Sequence, residues 1–575
     1  MSTSINPSIE SLHRQATAAY ASGHPELAEG LARRLIQLDE SHADAYYLIG
    51  AIRLDAGNPA SALPLLETAA RLNPEHLGIQ FAMGNAYFAL GHWSDAVHCY
   101  DLLRQAGRTE NNLLLNLGIA LHKIRQNGVA LEIFRRAIDI HPSDPALWNA
   151  YGDVLNKEND AVTSIMAHER AVALMPDNPD YVANLALMYE TSNRMEDAER
   201  VATAMLKQHP QHELLLLICA RCARRKKDFR QALALLERIP GNANLKFKRA
   251  SLFEAGRLHD HLKETEQAYE CFLEGNRLTL EVWPSHRAEA AKFPANWKTI
   301  HAYVTSRSSV NWPTFAAETM RPKHAFLLGF MRSGTTLMDT ILETDSRITV
   351  LEEEQPIHMV IRAAEALPGG YPACLEHLTI RQVEDLRQLY WQEVTALTGD
   401  LLPDQIVLDK QPVLAPHLGL VKTLFPTANF IFALRHPCDV VLSSFMQPFG
   451  HNPFHANFVT LEQSASVYAM VMDLWLAYNT HFELKVHTLR YEELINNKQQ
   501  ALTEVFGFLG IEDADTDIDH VTHAKQRGRI YTPSYHQVVQ PLYTDSMERW
   551  RRYRPYFEGV LPVLRPYAEQ FGYTL

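Results

Sequence analysis

A chain of 575 residues exceeds the size at which one hydrophobic core keeps growing, so at least two domains are expected. An apolar fraction of 46% with 21% charged residues is that of a globular protein, and a net charge of -13 offers a phosphate backbone no bulk attraction, which argues against nucleic acid as a partner. The start lacks a basic stretch leading into a long apolar run, no apolar segment is long enough to span a bilayer, and the six cysteines are scattered, so a cytoplasmic protein without membrane contact is expected.

The first half repeats itself. Gly50, Gly84, Gly118 and Gly152 stand 34 residues apart, and Ala186 and Ala220 continue the series, with Ala16 extending it backward. Twelve residues after these anchors come Ala28, Ala62, Ala96, Ala130, Ser164, Ala198 and Ala232, and Pro74, Pro142, Pro176 and Pro210 follow at offset 24. Small residues at two fixed places suit two antiparallel helices at their closest approach, and a proline stops the second helix before the next unit begins. The pattern resembles the tetratricopeptide repeat, which implies a helical solenoid with a concave binding face. Cys219 and Cys222 form a C-x-x-C inside this array, and no second pair completes a zinc set, so they read as two small helix residues.

After Ala232 the register slips, and the solenoid is expected to end near residue 280. Residues 281–320 carry prolines and tryptophans without a period and read as a connector. The stretch "AFLLGF" then has strand length, and "TLMDTIL" places Leu337, Ile341 and Leu342 at helical spacing. Between them, "GFMRSGTT" is a glycine-containing turn whose backbone N–H groups and helix dipole converge on one spot, an anion cradle. Gly329 and Gly334 permit close approach, Arg332 supplies charge, and Ser333, Thr335 and Thr336 supply hydroxyl donors. A Walker A loop requires lysine where Thr335 stands, so an ordinary nucleotide triphosphatase is disfavoured. "QIVLDK" could still imitate a Walker B strand ending in Asp409, which keeps a divergent P-loop NTPase or kinase as an alternative.

Farther along come the acidic triplet Glu352, Glu353 and Glu354, an amphipathic helical insertion over 356–403 without an interpretable motif, and a strand Ile406 to Leu408 running into Asp409 and Lys410. The third strand, in "NFIFALRHPCDVVLSSF", is followed by Arg435, a proline turn and a helix bearing Ser443 and Ser444. "KVHTLRYEEL" is a strand leading into Tyr491. Arg549, Arg551, Arg552 and Arg554 surround Trp550, a cluster that reads as a surface or packing helix.

The stretch "RSGTTLMDTILETDSRITVLEEEQ" resembles the signature region of tyrosylprotein sulfotransferases and related bacterial sulfotransferases. The resemblance covers most of Pro322 to Leu575 and implies that the loop binds the 5′-phosphosulfate of 3′-phosphoadenosine-5′-phosphosulfate. It puts the catalytic base on Glu353, with Glu354 second, and a leaving-group lysine on Lys410. Arg332 joins Lys410 in stabilising charge, Arg435 and Ser443 hold the 3′-phosphate, and Tyr491 lies near the adenine. A sulfuryl group leaves with less negative charge than a phosphoryl group, so fixed donors suffice and no metal is expected. The family's closing segment has a lysine where Gln540 stands here. Arg527 and Arg529 resemble the basic-glycine element of other sulfotransferases at the 3′-phosphate, and solvated loop arginines are the competing account.

The expected architecture is an all-α solenoid of helix hairpins over 1–280, a connector over 281–320, and an α/β P-loop-like domain with a parallel sheet over 321–575. The expected activity is sulfuryl transfer to an acceptor hydroxyl, with a protein tyrosine, a glycan or a small molecule left open. A protein or peptide acceptor suits the repeats, and self-association of the solenoid is a further possibility. From a different class, the chain is a repeat-based scaffold with a non-catalytic nucleotide-binding domain.

Overall fold

The structure is a computed structural model that describes residues 8–306, 312–313, 315–317, 322–353, 355–526 and 545–575, the side chains of Gln355, Lys525 and Gln526 excepted. It divides into two compact units, Met1–Cys222 and Ala223–Leu575.

The first unit is a run of helix hairpins, such as Ala43–Asp55 with Pro59–Leu72, Leu77–Leu90 with Trp93–Gln105, and Asn111–Lys123 with Asn127–Ile140. The glycine series has a packing cause. A Cβ at Gly84 would lie 2.6 Å from the Tyr100 ring, and one at Gly118 would lie 2.4 Å from the Phe134 ring, so the large residue 16 positions later occupies the space a side chain would need. Each turn inside a hairpin passes through a left-handed residue: Gly23, Gly57, Gly91, then Arg125, Asn159 and Asn193, again 34 apart. Cys219 and Cys222 are buried within this helical array.

The second unit opens with further helices, among them Leu245–His261 and Thr265–Val282. These two form a hairpin of the same type, since a Cβ at Gly256 would lie 2.8 Å from the Phe272 ring, again 16 residues on, and Lys263 takes the left-handed turn. The array therefore continues past the slip in register.

Five strands follow: β1 (Lys323–Gly329), β2 (Ile348–Glu352), β3 (Ile406–Lys410), β4 (Asn429–Leu434) and β5 (Lys485–Arg490), all parallel, in the order β2-β3-β1-β4-β5. Both faces are covered, which is why β1, β3 and β4 read as continuous apolar runs. Phe326, Leu328, Val407, Phe430 and Phe432 enter one core, while Ala325, Leu327, Ile406, Leu408 and Ile431 enter the other with Leu337, Met338 and Ile341 of the helix Thr335–Leu342. The chain is thus a helical solenoid followed by a domain built on a parallel five-stranded sheet. Among the described residues no helix is long and apolar enough to cross a membrane.

Candidate active site

In a parallel sheet all carboxyl ends share one edge, and here each strand delivers a residue singled out in the sequence. Glu353 follows β2, Lys410 ends β3, the Arg332–Thr336 turn follows β1, Arg435 follows β4, and Tyr491 follows β5. The connection leaving β1 crosses β3 to reach β2 at one side, whereas the connection leaving β4 goes to β5 at the other. Adjacent strands whose connections diverge open a crevice between their carboxyl ends, and that crevice lies between Arg332 and Arg435.

The turn after β1 is built by close approach. A Cβ at Gly329 would lie 2.3 Å from the Ala433 carbonyl oxygen of β4, and Gly334, at φ 96°, caps the helix Thr335–Leu342, where a Cβ would lie 2.7 Å from the Tyr491 ring. Ser333, Thr335 and Thr336 are all buried at the helix start. Arg332 itself sits at φ 70°. Among the described residues the other non-glycine left-handed positions of the sheet domain are Glu353 and Glu548, so backbone strain gathers where the chemistry is expected.

Arg332 donates from Nε to Ser443 Oγ at 3.1 Å, and Arg435 donates from Nη1 to the Arg332 carbonyl at 3.0 Å. The other end of the Arg435 guanidinium donates from Nη2 to the Ser546 carbonyl at 2.6 Å, and the group lies over the Tyr491 ring, 4.7 Å from its centroid. Tyr491 in turn shares a 2.9 Å hydroxyl–hydroxyl hydrogen bond with Ser546. Arg332, Ser443, Arg435 and Tyr491 therefore form one cluster. Among the described residues Arg435 Nε is buried without a hydrogen-bond partner, a donor left over for an anion. Ser444 is turned away, donating to the Val440 carbonyl of its own helix at 2.9 Å.

On the other side of β1, side-chain alternation decides the contacts of β3. Ile406, Leu408 and Lys410 share the face covered by the helix Thr335–Leu342, and Lys410 has no exposed side-chain surface there. Its ammonium lies 2.9 Å from Glu353 Oε1, 3.3 Å from Asp339 Oδ2 and 3.4 Å from Glu352 Oε1. Burial acts most strongly on this lysine and by itself would lower its pKa. The carboxylates of Asp339, Glu353 and Glu352 together outweigh burial and hold the pKa above its ordinary value. Glu353 is half-exposed, and its backbone N–H donates to the Lys410 carbonyl at 3.0 Å, extending the ladder by one bond.

Asp409 faces the opposite core. It accepts from Tyr390 Oη at 3.1 Å and from Gln411 Nε2 at 3.1 Å, the tyrosine coming from the helix Ile380–Thr398 of the 356–403 insertion. A Walker B aspartate would have to face the nucleotide, so this geometry weighs against the NTPase reading. Glu354, Arg527, Arg529 and Gln540 lie outside the described residues. A cavity of about 530 Å³ opens at the far edge of the sheet, lined by Lys323, Asn429 and Lys485, and includes none of the cluster. Converging donors favour the carboxyl edge over that cavity as the candidate site.

Three participants escaped sequence reasoning. Asp339 reaches Lys410, Ser546 reaches Arg435, and Asp439 accepts the backbone N–H groups of Glu548 at 2.7 Å and Trp550 at 2.9 Å. Only Asp339 left a signal, as a charge inside the apolar run "TLMDTIL".

Comparison with known proteins matches residues 324–515 to the sulfotransferase family and residues 13–76, 53–117 and 191–250 to tetratricopeptide repeats. Protein-tyrosine sulfotransferase 2 of Gallus gallus is 24% identical over 241 residues, 39% of this chain and 62% of that protein. An uncharacterized protein of Aquifex aeolicus is 22% identical over 320 residues, 53% of this chain and 39% of its own, and Protein FlbA of Caulobacter vibrioides is 29% identical over 150 residues, 26% of this chain and 25% of its own. The chain thus spans less than two thirds of the length of each of these relatives. Among solved structures, YrrB, described as a TPR protein with an unusual peptide-binding site, is 20% identical with a TM-score of 0.29, covering 32% of this chain and 95% of its own. The chain therefore carries tetratricopeptide repeats followed by a domain of the sulfotransferase family.

Proposed function

We propose that the C-terminal domain moves a sulfuryl group from 3′-phosphoadenosine-5′-phosphosulfate to an acceptor hydroxyl, a protein tyrosine being the favoured acceptor. The observation that carries the reading is the convergence of Arg332, Ser443, Arg435 and Tyr491 on the β1/β4 crevice, with the Glu353–Lys410 ion pair beside it. The residues present fit such a donor: among the described residues Arg435 Nε is a buried donor without a partner, and Ser333, Thr335 and Thr336 gather at the start of the helix Thr335–Leu342.

When bound, the donor supplies the sulfuryl group and a phosphate that departs from it. Ser333 to Thr336 and Arg332 hold its 5′ side, while Arg435 and Ser443 hold the 3′-phosphate. Glu353 accepts the proton of the attacking hydroxyl. Lys410, kept charged by its carboxylate neighbours, faces the growing negative charge on the leaving oxygen. No metal is needed for any of these roles.

The functional modules of this reading are the repeats over 1–280, the connector over 281–320 and the transferase domain over 321–575. Repeats of this family generally bind peptide or protein segments, which supports a protein acceptor presented by the solenoid. Six scattered cysteines support a reducing, cytoplasmic setting. Incubation with the ³⁵S-labelled donor and host proteins tests the proposal. Labelled protein is expected from the wild type, and Glu353→Gln should lower transfer by at least about a hundredfold while still binding adenosine 3′,5′-bisphosphate. Undiminished transfer by Glu353→Gln, or Mg²⁺-dependent triphosphate hydrolysis in place of transfer, would contradict it.

A further inference from the structure

The hairpin Leu245–His261/Thr265–Val282 has the packing of a repeat, yet it grips the sheet domain at two points that matter for the candidate site. Asn276 donates from Nδ2 to the carbonyl of Phe445 at 2.8 Å, the last residue of the helix Pro437–Phe445 that carries Ser443. Arg249 donates from Nη2 to the Phe449 carbonyl at 2.6 Å, just beyond that helix. The second grip centres on Asp260, a buried carboxylate. Arg549 Nη2 reaches its Oδ2 at 2.6 Å, Arg552 Nη2 its Oδ1 at 3.1 Å, and Tyr553 donates from Oη to Oδ1 at 2.8 Å. Arg552 also donates from Nη1 to the Asp260 carbonyl at 3.1 Å, and Tyr269 stacks on Tyr556 with centroids 3.8 Å apart.

What these contacts fix is the segment Asp545–Phe557. Its N-terminal part is a turn, neither helix nor strand, and Glu548 lies at φ 53°, so side chains from elsewhere help to set its path. Asp439 takes two of its backbone N–H groups, and Asp260 takes three of its side chains. Ser546 is the point where this segment meets the site, through its carbonyl on Arg435 and its hydroxyl on Tyr491.

We infer that Asp260 is a positioning residue for the donor site: by clasping Arg549, Arg552 and Tyr553 it holds Ser546 against Arg435 and Tyr491, and so aims the Arg435 guanidinium. The inference rests on the nucleotide reading proposed above. It makes the last helix hairpin a part of the donor site rather than a spacer before it. A carboxylate is required because two guanidinium groups and a phenol converge on it, and an amide at the same place would offer one acceptor and no charge.

Calorimetric titration of the full chain with adenosine 3′,5′-bisphosphate tests the inference. Asp260→Asn is expected to weaken binding roughly tenfold in the wild-type background and by less than about twofold in an Arg435→Met background, because the brace acts through Arg435. Adenosine 5′-phosphate, which lacks the group assigned to Arg435, should lose no affinity through Asp260→Asn. Equal binding by wild type and Asp260→Asn overturns the brace alone, as does an equal loss in both backgrounds. No heat from the wild type overturns the nucleotide reading beneath it. Should Asp260→Asn fail to fold, Arg552→Gln, which removes a more exposed member of the clasp, carries the same expectations, and loss of folding in both variants would make Asp260 a folding residue and refute the positioning role.

Discussion

Lys410 shows no side-chain surface to solvent, and its ammonium meets Asp339, Glu352 and Glu353 in place of water. Removing one member of a buried charge set leaves the others unpaired, which is far more damaging than losing a surface pair. Lys410→Met is therefore expected to destabilise the sheet domain by about 3–5 kcal/mol in urea unfolding. Adding Asp339→Asn should restore part of that loss, and a double variant less stable than Lys410→Met would refute the pairing. The sign of the pH dependence follows from the raised pKa: the lysine's contribution is full below its ordinary 10.5 and declines only as pH rises from there toward the folded value. Between pH 6 and 9 this lysine thus contributes no slope to stability. Lys410 was legible in the sequence as the end of an apolar strand, whereas Glu353 was picked from an acidic triplet only by the family resemblance. Asp339 was harder to see, because a single charge on an apolar helix face names no partner. Ser546 was invisible, since a backbone carbonyl leaves no trace in residue type.

The elements repeat this contrast between local and distant causes. The 34-residue period could be read by subtraction, because the same close approach of two helices selects a small residue each time. The hairpin Leu245–His261/Thr265–Val282 broke the period while keeping the 16-residue offset from Gly256 to Phe272, so the packing rule outlived the spacing rule. At the same offset from Gly152 the large residue is His168, fully buried, and burial pushes its pKa down from 6.5 to about 4. A depressed folded pKa gives stability present above the unfolded value and lost as pH falls toward the folded one. The Met1–Cys222 unit should lose about 2 kcal/mol between pH 7 and pH 5 through this group. His168→Phe, the residue found at Phe134, should remove that share, which urea midpoints at the two pH values would reveal. Asn149, the acceptor of His168 at 3.2 Å, keeps Asn184 at 3.0 Å as a donor in that variant. In the turn after β1, Gly334→Ala would force a Cβ against Tyr491 at a φ that L-residues rarely adopt. It is expected to weaken adenosine 3′,5′-bisphosphate binding roughly tenfold and to lower the thermal unfolding midpoint, since such strain costs about 1–3 kcal/mol, and unchanged affinity in calorimetry would count against the cradle.

For the whole molecule, strand order is what turns separate motifs into a site. The sequence placed Arg332 and Arg435 after two apolar strands far apart in the chain, but nothing local says that β1 and β4 are neighbours. The order β2-β3-β1-β4-β5 makes them so and sets Lys410 on the other flank of β1. The basic cluster around Trp550 read as a packing element, and Arg549 and Arg552 do pack, but onto Asp260, a residue no periodicity could have linked to them. Long-range polar pairs of this kind escape a reading built on spacing, whereas apolar periodicity and glycine positions, which answer to local geometry, survive it. The claim on which the rest depends is that the β1/β4 crevice holds one adenosine nucleotide by both of its charged ends. A crystal structure with adenosine 3′,5′-bisphosphate tests it most directly. The account predicts the 5′-phosphate at the Ser333–Thr336 turn and the 3′-phosphate on Arg435 and Ser443 of the same molecule. A nucleotide bound elsewhere, such as the cavity lined by Lys323 and Lys485 at the opposite edge of the sheet, would contradict it.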